Sequence, residues 1–191
     1  MMFLAFGAVL VVGWLLGGSV RNFGQLPVRG LWLAYAALAV DVAGVLASRL
    51  GTIPMASRLT YPASYALLAG LFLLNWRLPG TPVLAAGAAA NAAVVLANGG
   101  AMPVQVSALL RAGVPQSVIT GLQRGAAARH VVMTAATRLN VLGDWLWTPR
   151  GFPHPVAFSV GDALLVAGMG WLVLHTMLRH RRVQMASDAA D

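Results

Sequence analysis

Carboxylates are scarce in this chain, and two of them stand directly after glycine. The 191 residues include five Asp and no Glu, and Asp144 and Asp162 bracket the stretch DWLWTPRGFPHPVAFSVGD. Two carboxylates, or a carboxylate and a histidine such as His130, can serve as a general acid and a general base. The candidate catalytic residues are therefore Asp144, Asp162 and His130, and each carboxylate also has a structural interpretation.

Asp162 closes the sequence SVGD, just before an apolar run. This pattern matches the capping box, in which the Ser159 hydroxyl accepts from the backbone N–H three residues later and the acidic side chain reaches back. A carboxylate there also suits the positive end of the helix dipole. The spacing favours a structural role for Asp162 over a catalytic one.

Asp144 differs because no long apolar run follows it. Gly143 is interpreted as the end of a preceding helix, which leaves Asp144 to cap a short turn or to pair with an arginine. Arg138 and Arg150 are the nearest in sequence. Since carboxylates close to a bilayer are normally paired, the sequence favours an ion pair, with a catalytic or ligand-binding role as the alternative.

The composition is that of an integral membrane protein. Hydrophobic residues make up 59% and charged residues 9% of the chain, against about 25% charged in soluble domains. The apolar residues form long runs, which predict an all-α membrane protein with five transmembrane helices in a single membrane domain, 1–178. Six spans are the alternative. The predicted spans are 2–20, 31–50, 61–76, 81–97 and 158–178.

Two polar residues fall inside these predicted spans. Asp41 lies in the second and Asn91 in the fourth, each about ten residues, or roughly 15 Å, from the same end. An ionisable group at that depth either holds helices together through hydrogen bonds or serves a function such as transport. The matched depth predicts that Asp41 contacts Asn91 or another polar group and does not face lipid, with either role open.

The charges indicate an orientation. The net charge of +8 comes from 13 Arg, scattered between apolar segments as in proteins whose charges flank membrane spans, so nucleic acid is not an expected partner. Counting Arg in the short connections predicts an outer N-terminus and a cytoplasmic C-terminus in the cell membrane. The tail 179–191 is expected to be Arg-rich and then disordered. The four His show no ligand spacing and Cys is absent, so neither metal nor cofactor is expected.

The segment 98–157 is predicted to form an outer-face layer of amphipathic helix and loop. Apolar residues recur at helical spacing from Pro115 to Leu142, with a break expected near Gly125. Trp145 and Trp147 follow, at the level of an interfacial aromatic belt. The layer is interpreted as a lid over the helices, or alternatively as the roof of a cavity.

Asn98-Gly99-Gly100 is interpreted as the stop of the fourth span, after which Met102-Pro103 restarts an extended chain. Together with TRLNVLGDWLWTP and FSVGDALLVAG, this ordered set resembles a bacterial family of small polytopic membrane proteins of unknown function. The resemblance covers nearly the whole chain and implies five spans but no activity. Its motif positions are Asn98, Gly99, Gly100, Met102, Pro103, Gly143, Asp144, Ser159, Gly161 and Asp162.

The leading functional hypothesis is a non-enzymatic membrane component that binds a partner protein or a small ligand at its outer-face layer. The alternatives are an interfacial enzyme that uses Asp144 with Asp162 or His130, and a small transporter centred on Asp41. The expected partners are the lipid bilayer and either another membrane protein or a second copy of the chain. A cavity open to both Asp144 and Asp162 would favour the enzyme, whereas caps and Arg pairs at both would favour a structural role.

Overall fold

The computed structural model describes residues 2–51 and 55–179, which are mostly helical and carry one small sheet. Two 3₁₀ turns lie at Val20–Gln25 and Asn140–Leu142. The helices are α1 Met2–Leu15, α2 Trp32–Arg49, α3 Ala56–Leu74, α4 Thr81–Ala97, α5 Val106–Ala112, α6 Gln116–Gln123 and α7 Val160–Met177. The strands are β1 Met102–Val104, β2 His130–Val132, β3 Asp144–Trp147 and β4 Ala157–Ser159.

The five longer helices, α1 to α4 and α7, form a bundle with two distinct ends. The backbone N–H of Ser19 donates to the carbonyl of Met177 at 3.0 Å, so α1 and α7 finish at the same end. The Asn75 side chain accepts from the backbone N–H of Arg29 at 2.7 Å and donates to its carbonyl at 2.8 Å, which joins the two connections there. We call this the loop end (16–31 and 75–80). The opposite sheet end comprises residues 98–159.

Glycine allows α4 and α7 to pack closely. A Cβ at Gly87 would lie 2.7 Å from the carbonyl oxygen of Gly161, and a Cβ at Gly168 would lie 2.9 Å from that of Gly80. Small residues that let helix backbones approach are typical of helix contacts inside membranes. The close approach brings Asn91 of α4 beside the first turn of α7, where the candidate site lies.

The four short strands form a sheet in the order β2-β1-β3-β4. β1 pairs in parallel with both β2 and β3, whereas β3 and β4 form an antiparallel hairpin. In this register Asp144 lies opposite Val104 on one side and Ser159 on the other. Helices α5 and α6 cover the sheet through a cluster of Val104, Leu109, Ile119 and Leu122.

The predicted spans agree with the helices to different degrees. The fourth predicted span matches α4, and the second and fifth differ from α2 and α7 by one or two residues at each end. The first and third differ more, because α1 ends at Leu15 rather than near Val20 and α3 begins at Ala56 rather than at Tyr61. By length and composition, two of the described helices could cross a membrane, Trp32–Arg49 and Val160–Met177. The apolar stretch Leu4–Leu15 of α1 and helix α4, Thr81–Ala97, are shorter than these two.

Two predictions about the layer were wrong. The fold is not all-α, because the predicted layer contains a four-stranded sheet. The amphipathic helix ends at Gln123 and Gly125 turns the chain with a φ of 74°, so the predicted break is confirmed, but the helix does not resume after it. Residues His130–Val132 then pair with β1 as a strand, since a tertiary partner decides the structure of so short a segment. Of the predicted Arg-rich tail, Arg179 is described, and 180–191 lie outside the described residues.

Candidate functional site

The three sequence motifs meet at the sheet end. The Asn98 side chain donates to the carbonyl of Arg138 at 2.8 Å and accepts from its backbone N–H at 2.8 Å, which ties the end of α4 to the segment before β3. Gly99 and Gly100 have φ of 64° and 84°, so the predicted helix stop is confirmed. Met102 and Pro103 then enter β1, an inner strand of the sheet.

The capping box predicted at the start of α7 is present. The backbone N–H of Asp162 donates to the Ser159 hydroxyl at 2.9 Å, and the backbone N–H of Ser159 donates to Asp162 Oδ2 at 3.2 Å. The other carboxylate oxygen, Oδ1, accepts from the Asn91 amide at 2.8 Å. Both oxygens of Asp162 therefore have a partner, and the residue joins α7 to α4.

Asn91 completes this buried network. The residue is fully buried, and its side-chain oxygen accepts from the Ser159 hydroxyl at 2.9 Å. Gly161 is needed beside it, because a Cβ there would overlap the Asn91 amide and lie 2.8 Å from the carbonyl of Gly87. The α7 cap, defined as Asn91, Ser159, Gly161 and Asp162, thus joins α4 to the start of α7 through buried hydrogen bonds.

Asp144 lies in the neighbouring strand but has a different environment. Its side chain is 6% exposed, and Oδ1 is buried without a hydrogen-bond partner. Its carbonyl accepts from the backbone N–H of Gln105 at 2.9 Å, which fixes the residue in the sheet. Burial, and secondarily the nearby charge of Asp162, raises the pKa of Asp144 to about 8. Its carboxyl group is therefore mainly protonated at neutral pH.

The predicted arginine pair of Asp144 was wrong. Arg138 is held through its backbone to Asn98, and the salt bridge found in the described part of the chain joins Arg129 to Asp41. Gly143 does not end a helix in the left-handed conformation either, because its φ is −77° and its ψ is −174°. A Cβ at Gly143 would lie 2.8 Å from the Pro103 carbonyl oxygen, so glycine is needed here because the backbone of β1 passes too close for a side chain.

Asp144 and His130 line a common cavity of about 220 Å³ between the sheet, α5, α6 and the β3–β4 hairpin. The remaining lining is apolar and includes Val104, Leu109, Val118, Leu122 and Ala157. Burial, followed by the neighbouring Arg129 charge, lowers the pKa of His130. At neutral pH the cavity therefore presents a mainly neutral carboxyl group and a mainly neutral imidazole within an apolar surface.

Asp41 has polar partners, as predicted, but Asn91 is not one of them. Arg129 Nη1 lies 2.9 Å from Asp41 Oδ1, and the Ser64 hydroxyl oxygen lies 3.4 Å from the same oxygen. The Arg129 guanidinium also lies 4.7 Å from the centre of the Tyr61 ring. Asp41 thus anchors the residue beside His130 to α2 and α3. Arg129 was not among the candidates, and its position directly before His130 was the one available signal.

The chain was compared with known proteins. A family model with the description "Family of unknown function (DUF5317)" matches residues 25–174. The match begins after α1 and includes α2 to α6, most of α7, the sheet and all three motifs. Neither the curated proteins nor the solved structures contain a match.

Proposed function

The chain belongs to this family of unknown function, and we propose that it is a non-enzymatic, five-span membrane protein that binds a small ligand in the cavity of Asp144 and His130. The observation that carries the proposal is a carboxyl group that is 6% exposed, has an oxygen without a hydrogen-bond partner and lines an otherwise apolar cavity. An unpaired buried polar group destabilises the fold, and a ligand that forms a hydrogen bond with this carboxyl group would offset that cost.

The bundle surface supports the membrane location. Large apolar side chains within α1 and α2, such as Val11, Leu38 and Val42, are exposed. The 18 residues of α2 span about 27 Å, close to the roughly 30 Å of a hydrocarbon core. Lipid is the environment that suits such a surface, because a soluble monomer rarely exposes so large an apolar area.

Tryptophans near both ends of the bundle also fit a bilayer. Exposed Trp14, Trp32 and Trp76 lie near the loop end, and Trp145 and Trp147 lie at the sheet end. Tryptophan is enriched where the apolar core of a membrane meets water. Two bands at opposite ends of the five longer helices are the arrangement expected if all five cross.

The arginine distribution supports an outer N-terminus and a cytoplasmic loop end. Arg21, Arg29, Arg77 and Arg179 lie in short connections or at the last helix end, and short basic segments stay on the cytoplasmic side. Reporter fusions after Leu178 and near Gln105 test this orientation. We expect a reporter active only in the cytoplasm to work at the first site and fail at the second, and the reverse pattern would contradict the orientation.

The cavity defines the class of ligand. Its volume of about 220 Å³ lies below the roughly 300–1,000 Å³ typical of sites for drug-sized molecules, so the ligand is small. Aliphatic side chains dominate the lining, which suits an apolar body. One polar group of the ligand would bond to Asp144, and a second could bond to the His130 imidazole, because either residue can donate or accept when neutral.

The ligand can be sought by purifying the full-length protein from native membrane and identifying the small molecules that remain bound by mass spectrometry. Asp144→Asn changes the polar group at constant size, and Ala157→Leu fills the cavity. Ala135→Leu adds the same volume at an exposed position in a turn outside the cavity and is the matched control. We expect one compound to remain with the wild type and the control and to be absent from both cavity variants.

Equal amounts of every bound compound in all four proteins would refute the proposal. Loss from the control variant as well would point to general damage of the layer. Melting temperatures measured on the same samples separate loss of binding from loss of folding.

One observation favours a second candidate, an enzyme in which Asp144 and His130 act as acid and base. Both line the same cavity, and their pKa values move in opposite directions, to about 8 for Asp144 and downward for His130. Enzyme sites often hold such pairs. Asp162 does not share the role, since its oxygens are engaged in the cap. Incubating the recovered compound with the purified protein distinguishes the two, because a binding protein returns it unchanged and an enzyme converts it.

A further inference from the structure

A second cavity, of about 330 Å³, lies between α2, α3 and the segment before β2. It touches the first cavity only through Ala127 and His130, which line both. Its polar lining comes from Ser48, Arg49, Ser57, Arg129 and His130. No acidic residue of the described chain lines it, so its charged groups are two guanidinium groups.

Two hydrogen-bond donors at this cavity lack partners. Ser57 is 2% exposed, and its hydroxyl oxygen is buried without a hydrogen bond. Arg129 uses Nη1 and Nη2 on Asp41, while its Nε is buried and unpaired. Native proteins leave few buried polar atoms unsatisfied, and two beside one cavity indicate an acceptor that completes them.

The backbone around Ser57 adds to the attraction for an anion. Ser57 lies in the first turn of α3, a helix of 19 residues, where the helix dipole places partial positive charge. The Ser48 hydroxyl oxygen accepts from the backbone N–H of Ser57 at 2.9 Å, so the proton of the Ser48 hydroxyl points away from Ser57. Exposed Arg49 supplies a full charge at the rim.

We propose that this cavity binds a phosphate group, supplied either by a lipid headgroup or by free phosphate. A phosphate offers several acceptor oxygens and negative charge, which match the Ser57 hydroxyl, Arg129 Nε and the Arg49 guanidinium. The cavity lies where α2 ends and α3 begins, at the sheet end of the bundle. This is the level at which lipid phosphates meet a protein whose five longer helices cross the bilayer.

Full-length protein in detergent micelles provides the test. Native mass spectrometry measures retention of dioleoyl phosphatidic acid against dioleoylglycerol, which has the same chains without the phosphate, and titration calorimetry measures inorganic phosphate. Ser57→Ala and Arg49→Gln probe the site. Two variants are the controls. Ser64→Ala removes a buried hydroxyl that donates to the Tyr61 carbonyl at 2.7 Å, and Arg150→Gln removes an exposed charge outside the cavity.

We expect Ser57→Ala to weaken phosphate binding about tenfold, the effect of one charge-assisted hydrogen bond. The melting temperature should stay at or above the wild-type value, because the buried hydroxyl has no partner in the fold. Arg49→Gln should weaken binding similarly. Ser64→Ala should lower the melting temperature and retain binding. Arg150→Gln and Asp144→Asn should leave phosphate binding unchanged, which separates this site from the ligand cavity.

The two probes distinguish the source of the phosphate. Preference for phosphatidic acid over dioleoylglycerol without measurable binding of inorganic phosphate assigns the site to lipid headgroups, whereas binding of both phosphate probes assigns it to free phosphate. Retention of phosphatidic acid at the wild-type level in Ser57→Ala and Arg49→Gln overturns the proposal. Equal retention of dioleoylglycerol and phosphatidic acid by the wild type overturns it as well.

Discussion

The α7 cap and the start of β3 each contain a Gly-Asp pair, and they lie side by side in the sheet, since Asp144 is opposite Ser159. At the cap, both oxygens of Asp162 accept hydrogen bonds. At β3, Oδ1 of Asp144 has no partner and the residue borders a cavity. The same dipeptide thus serves the folded structure at one position and presents an unsatisfied group at the other.

The number of hydrogen-bond partners distinguishes a structural carboxylate, Asp162, from a carboxylate that we assign to ligand binding, Asp144. A carboxylate with every oxygen bonded stabilises the fold, and removing it exposes the groups that it satisfied. A buried carboxyl group without a partner destabilises the fold, because unfolding lets the group reach water and ionise, and replacing it with an amide removes this advantage of the unfolded state. Substitutions at the two positions should therefore change stability in opposite directions.

The largest effect is expected for Asp162→Ala. The change removes a cap worth about 1 kcal/mol and leaves the buried Asn91 amide without its acceptor, which costs about 1–3 kcal/mol more. We expect the free energy of unfolding in mixed detergent–dodecyl sulfate micelles to fall by about 2–4 kcal/mol. Wild-type stability in this variant would show that the cap hydrogen bonds contribute little.

A smaller loss is expected for Gly161→Ala. The added methyl group would overlap the Asn91 amide and approach the Gly87 carbonyl, and overpacking of this kind costs about 1–3 kcal/mol. Gly121→Ala is the control, since Gly121 lies in α6 and a Cβ there meets nothing within 4 Å. The same unfolding measurement should leave the control unchanged or slightly stabilised, and equal losses in both variants would contradict the close packing of α4 against α7.

A change of opposite sign is expected for Asp144→Asn. At pH 7 the variant should be more stable than the wild type by about 1 kcal/mol or more, because unfolding lets wild-type Asp144 release the proton that its buried carboxyl group holds, whereas an amide cannot ionise. Thermal unfolding of the two proteins side by side measures the difference. A destabilised variant would indicate a structural partner for Asp144.

The same pair of proteins should differ with pH. Between the ordinary pKa of 3.8 and about 8, folded Asp144 keeps the proton that the unfolded chain releases. The unfolded state binds fewer protons over this range, so the Asp144 contribution to stability falls as pH rises and levels off above pH 8. The stability advantage of Asp144→Asn should therefore grow from pH 4 to pH 8, and a constant difference would exclude the raised pKa.

The local parts of this fold could be predicted from sequence. The capping box at Ser159 and Asp162 and the helix stop at Asn98-Gly99-Gly100 depend on neighbouring residues, and both were predicted correctly. The sheet was not, because β1 and β2 are only three residues long and pair across 28 positions with no alternating pattern to mark them. Helical spacing from Pro115 to Leu142 suggested helix on both sides of a break near Gly125, and pairing with β1 overrides it after the break.

Contacts between distant residues were harder to predict. Asp41 and Asn91 were paired by depth, but depth does not fix which way a side chain faces around its helix, and Asp41 binds Arg129 instead. The missing partner of Asp144 could not be predicted either. The environment of Asp144 depends on two long-range contacts: Asn98 binds the backbone of Arg138, and the β3–β4 hairpin places Asp144 beside a cavity.

The most direct test of the central claim is the protonation of Asp144 itself. Infrared difference spectra of the wild type and Asp144→Asn in detergent, recorded from pH 4 to pH 9, isolate the carbonyl stretch of its protonated carboxyl group. The environment described above predicts that this band persists through pH 7 and disappears with a midpoint near pH 8, and that it shifts when the cavity ligand binds. A band already lost near pH 4 would mean a solvated or paired carboxylate, and it would contradict a functional role that depends on burial.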